Sequence, residues 1–342
     1  MIILNITFLI GNGFDIGLGL KTRYEDFYKF YTKINSGDSE NIRRFKKALS
    51  NQDLYYSQEI INWSDFEKAF GQYSERFDYF TKADYLKCFE DFVINFNTYL
   101  ESEEKRVEFS NSKLIARTMF NAVTKYFHIR DKDKDYIQSL YTPLANGRVY
   151  NFISFNYTKT VDECANILNQ YLESDNSRRV GKILHIHGFV EENMIMGVND
   201  KSQIKNIMFA GDDEISREII KSQQNSDMRT NYEKQVMETI DQSDIICVYG
   251  MSIGETDKKW WNYIGEWIKK DKKHALVILK YDEKFNKRFP FKQNKLIDEI
   301  TNRFLELSGQ SDSIRTKVFV GMNHNVFSMK LCRDNKEFAD VI

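Results

Sequence analysis

The spacing of hydrophobic residues changes twice along the chain. The first ten residues, MIILNITFLI, form a short apolar run that stops at Gly11, as expected of a buried parallel strand. From Thr22 to about residue 145, apolar residues recur at helical spacing. After the turn signal Asn146-Gly147, strand and helix patterns alternate. This order predicts an α/β fold in which a parallel sheet has helices on both faces and a large helical insertion follows the first strand.

The patterns also predict the individual elements. Later strands are expected at 149–157, 182–187, 194–198, 244–251, 275–281 and 316–320, and helices at 160–172, 231–241, 258–269 and 295–307. Within the insertion, capping-box signatures begin helices at Thr22 and Ser64, and two more helices cover 86–100 and 114–127. The alternating charges at 131–135 predict a solvated loop. We therefore divide the chain into one domain of residues 1–20 plus 146–342 and a helical insertion of residues 21–145.

Composition narrows the class of protein. With 26 Phe, 19 Tyr and a net charge of −1, the chain is too apolar for disorder and lacks the basic excess of a dedicated nucleic-acid binder. No apolar run is long enough to span a membrane, and the first residues lack the features of a signal peptide. The four cysteines are far apart without a CxxC pair, which favours a reducing, cytoplasmic location and no metal site.

The first candidate site is the loop Gly11-Asn12-Gly13-Phe14-Asp15. Parallel strands end at the same edge of a sheet, where ligands of such folds bind. Glycines allow the backbone to approach a phosphate closely, and the amides after them can hold an anion. The GxGxxxG spacing differs from the dinucleotide fingerprint, so an ordinary tight turn is the alternative.

Two further strand ends carry polar side chains. Asn156 could orient a hydroxyl or a water molecule, or it could cap the next helix. His185 and His187 share one face of a strand, and Gly188 leaves the imidazole of His187 uncrowded. No carboxylate or cysteine stands at a spacing that would complete a metal site with them. A structural role is the alternative for both histidines.

The fourth feature is the turn after the strand at 244–251. A glycine, Gly250, is followed there by Ser252 and then by Asp257. Asp257 could instead begin the tryptophan-rich helix that follows.

Together, these motifs resemble a known family. The segments GNGFD (11–15), GLKTRYEDF (19–27), WSDFE (63–67), FNYT (155–158), IHG (186–188) and GMSIGETD (250–257) are similar to those of the AbiH family of bacteriophage abortive-infection proteins. Through FNYT, HG and GxS, this family in turn resembles the sirtuin-like NAD-binding fold. The resemblance spans nearly the whole chain. It implies a Rossmann-like (sirtuin-like) sheet and a role in antiviral defence.

The resemblance also implies roles for individual residues. His187 and Asn156 would be catalytic, and NAD would be the ligand. The chain has no zinc-binding cysteine module, and Asp15 stands where sirtuins have a small polar residue, so hydrolysis of NAD is a better expectation than deacylation. The implied cofactor-binding residues are Gly11, Asn12, Gly13, Phe14, Asp15, Thr22, Tyr24, Tyr157, Gly188, Gly250, Ser252 and Asp257.

The expected chemistry is simple, because nicotinamide leaves NAD as a neutral base without a general acid. His187 would take a proton from a ribose hydroxyl or from water, and Asn156 would hold that oxygen. Glu67 is a candidate second carboxylate if the insertion covers the sheet edge.

We therefore predict a phage-defence protein that binds NAD and hydrolyses it to nicotinamide and ADP-ribose. One alternative is a non-catalytic NAD or ADP-ribose sensor that gates a partner effector, and another is a toxin acting on RNA. The expected partners are NAD and a phage trigger. A homo-oligomer is left open, and neither a membrane nor a dedicated nucleic-acid surface is expected.

Overall fold

Six parallel strands form one sheet in the centre of the protein. The computed structural model describes residues 2–34, 37–49, 63–77, 81–125, 129–141, 145–190, 192–227, 231–282, 288–322 and 326–333. The strands are β1 (Ile2–Ile10), β2 (Ala145–Ser154), β3 (Arg178–His185), β4 (Ile245–Tyr249), β5 (Ala275–Lys280) and β6 (Val318–Met322).

Helices fill most of the remaining described chain. They are α1 (Gly13–Leu18), α2 (Tyr24–Tyr31), α3 (Glu40–Ala48), α4 (Trp63–Tyr73), α5 (Lys82–Glu104), α6 (Ser112–Thr124), α7 (Asp131–Tyr141), α8 (Thr160–Leu172), α9 (Ile207–Ala210), α10 (Asp213–Ile219), α11 (Lys221–Asp227), α12 (Tyr232–Asp241), α13 (Lys258–Lys270) and α14 (Pro290–Leu307). Short 3₁₀ turns cover Ser74–Phe77, Lys201–Gln203, Glu255–Asp257 and Asp312–Lys317.

The strand order is β3-β2-β1-β4-β5-β6, and all five neighbouring pairs are parallel. After β1 the chain adds β2 and β3 on one side of it, and then crosses back to add β4, β5 and β6 on the other side. This is the Rossmann strand order. Its ligand crevice lies where the order of addition reverses, here between β1 and β4. The predicted α/β class and parallel sheet are confirmed.

Both faces of the sheet are buried along its central strands, which are therefore mainly apolar, whereas the edge strand β3 is partly exposed. Along β1, Phe8 and Ile10 join the core on one face, whereas Leu9 joins the core on the other. Every residue of β4 is buried. Helix α6 of the predicted insertion also packs on the sheet, through Ile115 and Met119.

A second core lies among α2 to α5 and consists mainly of aromatic rings. The rings of Phe66 and Phe92 stack with centroids 4.1 Å apart, and Phe27 meets Phe92 edge-on at 5.1 Å. Residues of the 190–220 segment, such as Val198 and Ile219, belong to the same core. The helical character of the insertion is confirmed for its described residues, which contain no strand between 21 and 141. The division into two domains stays a prediction.

Two predicted elements are wrong. Residues 194–198 form no strand, because Gly197 has a φ of 141° and Val198 makes only a single bridge to Ile220. Residues 131–135 are not a loop but the start of α7. Arg130 pairs with Asp133 at 2.8 Å there, and Ile137 anchors the helix in the sheet core.

Other boundaries differ by a few residues. β3 ends at His185, so His187 lies beyond the strand, and the chain turns at Gly188, whose φ is 65°. The residues before Val318 form a 3₁₀ turn, so β6 begins later than predicted. Helix α6 ends at Thr124, and the last two predicted helical residues, 126 and 127, lie outside the described residues.

The loops after β1 and β4 pass so close together that only glycine fits. A Cβ on Gly13 would lie 2.5 Å from Cα of Gly250, and a Cβ on Gly11 would lie 2.5 Å from Cγ of Met251. Gly250 itself has a φ of 70°, in the region that favours glycine.

This contact makes a test of the fold. We expect Gly13→Ala to lower the free energy of unfolding by about 1–3 kcal/mol. The new methyl group would collide with the backbone of Gly250, which cannot move aside as a flexible side chain can. Gly17→Ala is the matched control in the same helix, since its Cβ would meet nothing closer than 3.6 Å. Alanine there should change stability by at most about 1 kcal/mol, in the stabilising direction. Urea denaturation measures both variants, and equal effects would show that the close contact is not limiting.

Candidate functional site

A cavity of about 940 Å³ lies at the carboxyl ends of the central strands. Residues at or after the ends of β1 to β5 form one wall. Helices α2, α4 and α5, the residues just before α2 and the first residue of α11 form the other wall, which we call the helical layer. The predicted meeting of Gly13, Asn156, His187 and Ser252 in one cleft is confirmed. The helical layer contributes Thr22, Arg23, Tyr24, Glu25, Glu67, Phe96, Leu100 and Lys221 to the lining.

Twelve of the fourteen predicted site residues line this cavity, and Phe14 and Gly188 do not. Phe14 packs in the sheet core, with its ring 5.7 Å from that of Phe327. A Cβ on Gly188 would lie 2.0 Å from the carbonyl oxygen of Asn193, which accounts for a glycine at that turn. The binding and catalytic roles of the other twelve stay predictions.

The loop after β1 is held by hydrogen bonds within the protein. The amides of Gly11 and Gly13 donate to the carbonyls of Tyr249 and Gly250, at 2.9 and 2.8 Å. The amide of Phe14 donates to the carbonyl of Gly11 at 2.9 Å. Three amides expected to face an anion are therefore already used.

Side chains tie the same loop to the start of the insertion. Nδ2 of Asn12 donates to the carbonyl of Thr22 at 2.7 Å, and Oγ1 of Thr22 donates back to Oδ1 of Asn12 at 2.5 Å. This reciprocal pair fixes the cavity wall where the sheet meets the helical layer.

Asp15 joins the first two strand ends. Its carboxylate accepts hydrogen bonds from Thr158 at 2.7 Å and from Thr160 at 2.6 Å. Burial raises its pKa to about 6, and the two threonine hydroxyls and Asn156 oppose that shift.

Asn156 lies at the same junction. Its Nδ2 donates to the carbonyl of Gly11 at 3.1 Å. The residue that precedes α8 is Lys159, so Asn156 is not the cap of that helix. Its amide instead lines the cavity in a fixed orientation.

The two histidines differ sharply in their hydrogen bonds. Nε2 of His185 lies 2.7 Å from Asp162, and its Nδ1 lies 3.2 Å from the carbonyl of Asn156. In His187, Nε2 lies 3.8 Å from Asp257, and the buried Nδ1 has no partner among the described residues. Burial, aided by the charge of Lys221, lowers the pKa of His187, which favours the neutral imidazole. His185 is packed as predicted, whereas His187 lines the cavity with neither nitrogen in a short hydrogen bond.

A buried ion pair completes the site from the helical layer. Nζ of Lys221 lies 2.6 Å from Oε1 of Glu67, and both side chains are about nine-tenths buried. The insertion thus covers the sheet edge and brings Glu67 into the cavity. Lys221 was not predicted, because a single lysine in the polar segment KSQQNSD carries no signal in the sequence.

Asp257 lies at the first position before α13, but its side chain makes no capping hydrogen bond. It lines the cavity instead. Within the described ranges, no three His, Cys, Asp or Glu side chains are grouped to hold a metal ion. The described helices also include none with the length and hydrophobicity needed to cross a membrane.

Comparison with known proteins identifies one family. The model of the family described as "Bacteriophage abortive infection AbiH" matches residues 7–279. The matched segment runs from within β1 to the end region of β5 and includes all twelve predicted residues that line the cavity. Among curated proteins, none matches the chain.

The buried carboxylate of Asp15 allows a test by pH. Because its pKa is raised to about 6 in the folded protein, the folded state holds a proton that the unfolded chain has already released. Wild-type stability should therefore fall as pH rises from about 4 to about 6, by roughly 2–3 kcal/mol. Asp15→Asn does not titrate in this range, so its stability relative to wild type should rise over it. Urea denaturation at several pH values measures this difference.

Asp298→Asn, at an exposed position on α14, is the control and should leave the pH dependence unchanged. A constant difference between Asp15→Asn and wild type would contradict the raised pKa.

Proposed function

The chain belongs to the AbiH family of bacteriophage abortive infection proteins, since the match spans residues 7–279 of 342, and on this premise we propose that it binds NAD and hydrolyses it to nicotinamide and ADP-ribose. The cavity at the β1–β4 crevice is where a Rossmann sheet binds its ligand. Loss of NAD from an infected cell would stop phage replication by depriving it of a central cofactor.

The observation that carries the proposal is the state of His187. A general base must be unprotonated and within reach of the proton that it takes. His187 lines the cavity, burial lowers its pKa, and neither of its nitrogens makes a short hydrogen bond. His185 lies two residues away, but both of its nitrogens are engaged.

The remaining groups suit the bond that breaks. Cleavage of the nicotinamide–ribose bond develops positive charge on the ribose, which nearby carboxylates stabilise. Asp257 lies 3.8 Å from His187, and Glu67 is a second buried carboxylate on the cavity lining. Asn156 has a fixed amide whose oxygen could orient water or a ribose hydroxyl.

The test compares the two histidines in the presence of an extract from infected cells, which supplies the trigger. We expect His187→Ala to reduce the rate of nicotinamide release by ~10²–10⁴ while keeping the wild-type thermal midpoint. His185→Ala is the control on the same segment and should act through stability, by about 1–3 kcal/mol, because it leaves buried groups without partners. Chromatography of nicotinamide and thermal denaturation give the two measurements.

The rate should also fall as pH is lowered, because a protonated imidazole cannot accept the proton. If wild type releases no nicotinamide but binds NAD, the protein is a sensor. If His187→Ala cleaves NAD at the wild-type rate, His187 is not the base. NAD that stays constant in infected cells while RNA is degraded would favour the toxin.

A further inference from the structure

The cavity contains an excess of buried negative charge that the proposed base and amide do not use. Glu67 and Asp257 provide two carboxylates, with side chains 9% and 17% exposed, and Lys221 provides one ammonium group. When both carboxylates are ionised, the cluster has one uncompensated negative charge. Such a charge is expensive to bury without a partner.

The three charged groups act on one another. Burial raises the pKa of Glu67 to about 7, Lys221 opposes this shift, and Asp257 adds to it. Burial also raises the pKa of Tyr157, and both carboxylates raise it further. Glu67, Asp257, Lys221 and Tyr157 therefore form a single electrostatic cluster, to which the neutral His187 is adjacent.

The walls around the cluster are aromatic. The ring centroids of Phe155 and Tyr157 lie 5.9 and 6.1 Å from that of His187, and all three residues line the cavity. Aromatic faces attract cations, and more strongly where water is excluded. Carboxylates beside aromatic rings thus suit a flat, positively charged ring.

The same cavity also contains positive groups that suit the other end of such a ligand. Arg23 and Lys280 line it, and neither makes an ion pair with another described residue. The side chain of Lys280 is partly buried, which lowers its pKa. A negatively charged group on the ligand would compensate these cations.

We propose that Glu67 and Asp257 bind the cationic nicotinamide ring of oxidised NAD, so that the site prefers NAD over NADH. This inference rests on the proposed NAD site and adds that the site selects the oxidised form of the cofactor. NAD carries a positive ring and a negative diphosphate, whereas the ring of NADH is neutral. ADP-ribose has the diphosphate without the ring.

A pH dependence follows from the same contact. A bound cation favours the ionised form of Glu67, so binding should release a proton near pH 7. NAD affinity should rise between pH 6 and pH 8, while NADH affinity should change less. Protonation of His187 at low pH would act in the same direction, because it adds positive charge beside the ring. In a His187→Ala background this second effect is absent, so the rise in NAD affinity that remains there belongs to Glu67 and should be lost in Glu67→Gln.

The experiment measures binding by calorimetry in full-length His187→Ala protein, which the proposed function expects to bind NAD without cleaving it. We expect NAD to bind about tenfold more tightly than NADH at pH 8. Adding Glu67→Gln should weaken NAD binding about tenfold and leave NADH and ADP-ribose within about twofold, because one charge contact is worth roughly a factor of ten. Glu25→Gln, an exposed carboxylate on the same cavity, is the matched control and should change nothing.

The outcomes separate this inference from the function beneath it. If NAD, NADH and ADP-ribose all fail to bind, the NAD site itself is wrong. If NAD and NADH bind equally, or if Glu67→Gln weakens all three ligands alike, only the recognition of the cationic ring is wrong. If Glu67→Gln lowers the thermal midpoint too far to measure, Asp257→Asn decides, because Asp257 is not the ion-pair partner of Lys221.

Discussion

The structure depends on the contact between the loops that follow β1 and β4. Cα of Gly250 lies where any side chain on Gly13 would be, and amides of the first loop donate to carbonyls of the second. Strands β1 and β4 lie side by side at the point where the order of the strands reverses, so this contact forms the floor of the crevice. Asp15 then fastens the β2–α8 connection to the same loop through Thr158 and Thr160. Three strand ends are thus held around one cavity by backbone contacts and buried hydrogen bonds.

The helical layer closes this cavity and also changes its chemistry. Aromatic stacking among α2 to α5 builds a core that is separate from the sheet, and α4 extends from that core to the cavity. Burying Glu67 and Lys221 there is costly, and a pair of that kind contributes little to stability by itself. The aromatic core supplies the stability that permits it. The insertion is therefore a part of the site, because it delivers charge to a sheet edge whose own side chains are mostly neutral.

The sequence predicted the sheet well because its central strands, such as β1, β4 and β5, are buried on both faces and are nearly continuous apolar runs. It failed where tertiary packing overrides a local pattern. Residues 194–198 are as apolar as a strand, but they pack into the helical core and bend at Gly197. The charges at 131–135 looked solvated, but one buried residue, Ile137, anchors their helix. The strand ends identified most of the cavity, whereas Lys221 could not be found, because its role depends on a partner 154 positions away in the chain.

The glycines of the first loop illustrate how one motif can have two explanations. The sequence suggests that they make room for a phosphate, but the structure shows that they make room for the backbone of the β4 loop. The amides of Gly11, Gly13 and Phe14 are used in that contact, so they cannot also neutralise a diphosphate without breaking it. The negative charge of a dinucleotide in this cavity would have to be balanced by side chains. Arg23 and Lys280 line the cavity, and neither forms an ion pair with another described residue. The likeness to a Rossmann sheet therefore extends to where a ligand would lie, while the charges that would hold it are on side chains and not on the amides of the first loop.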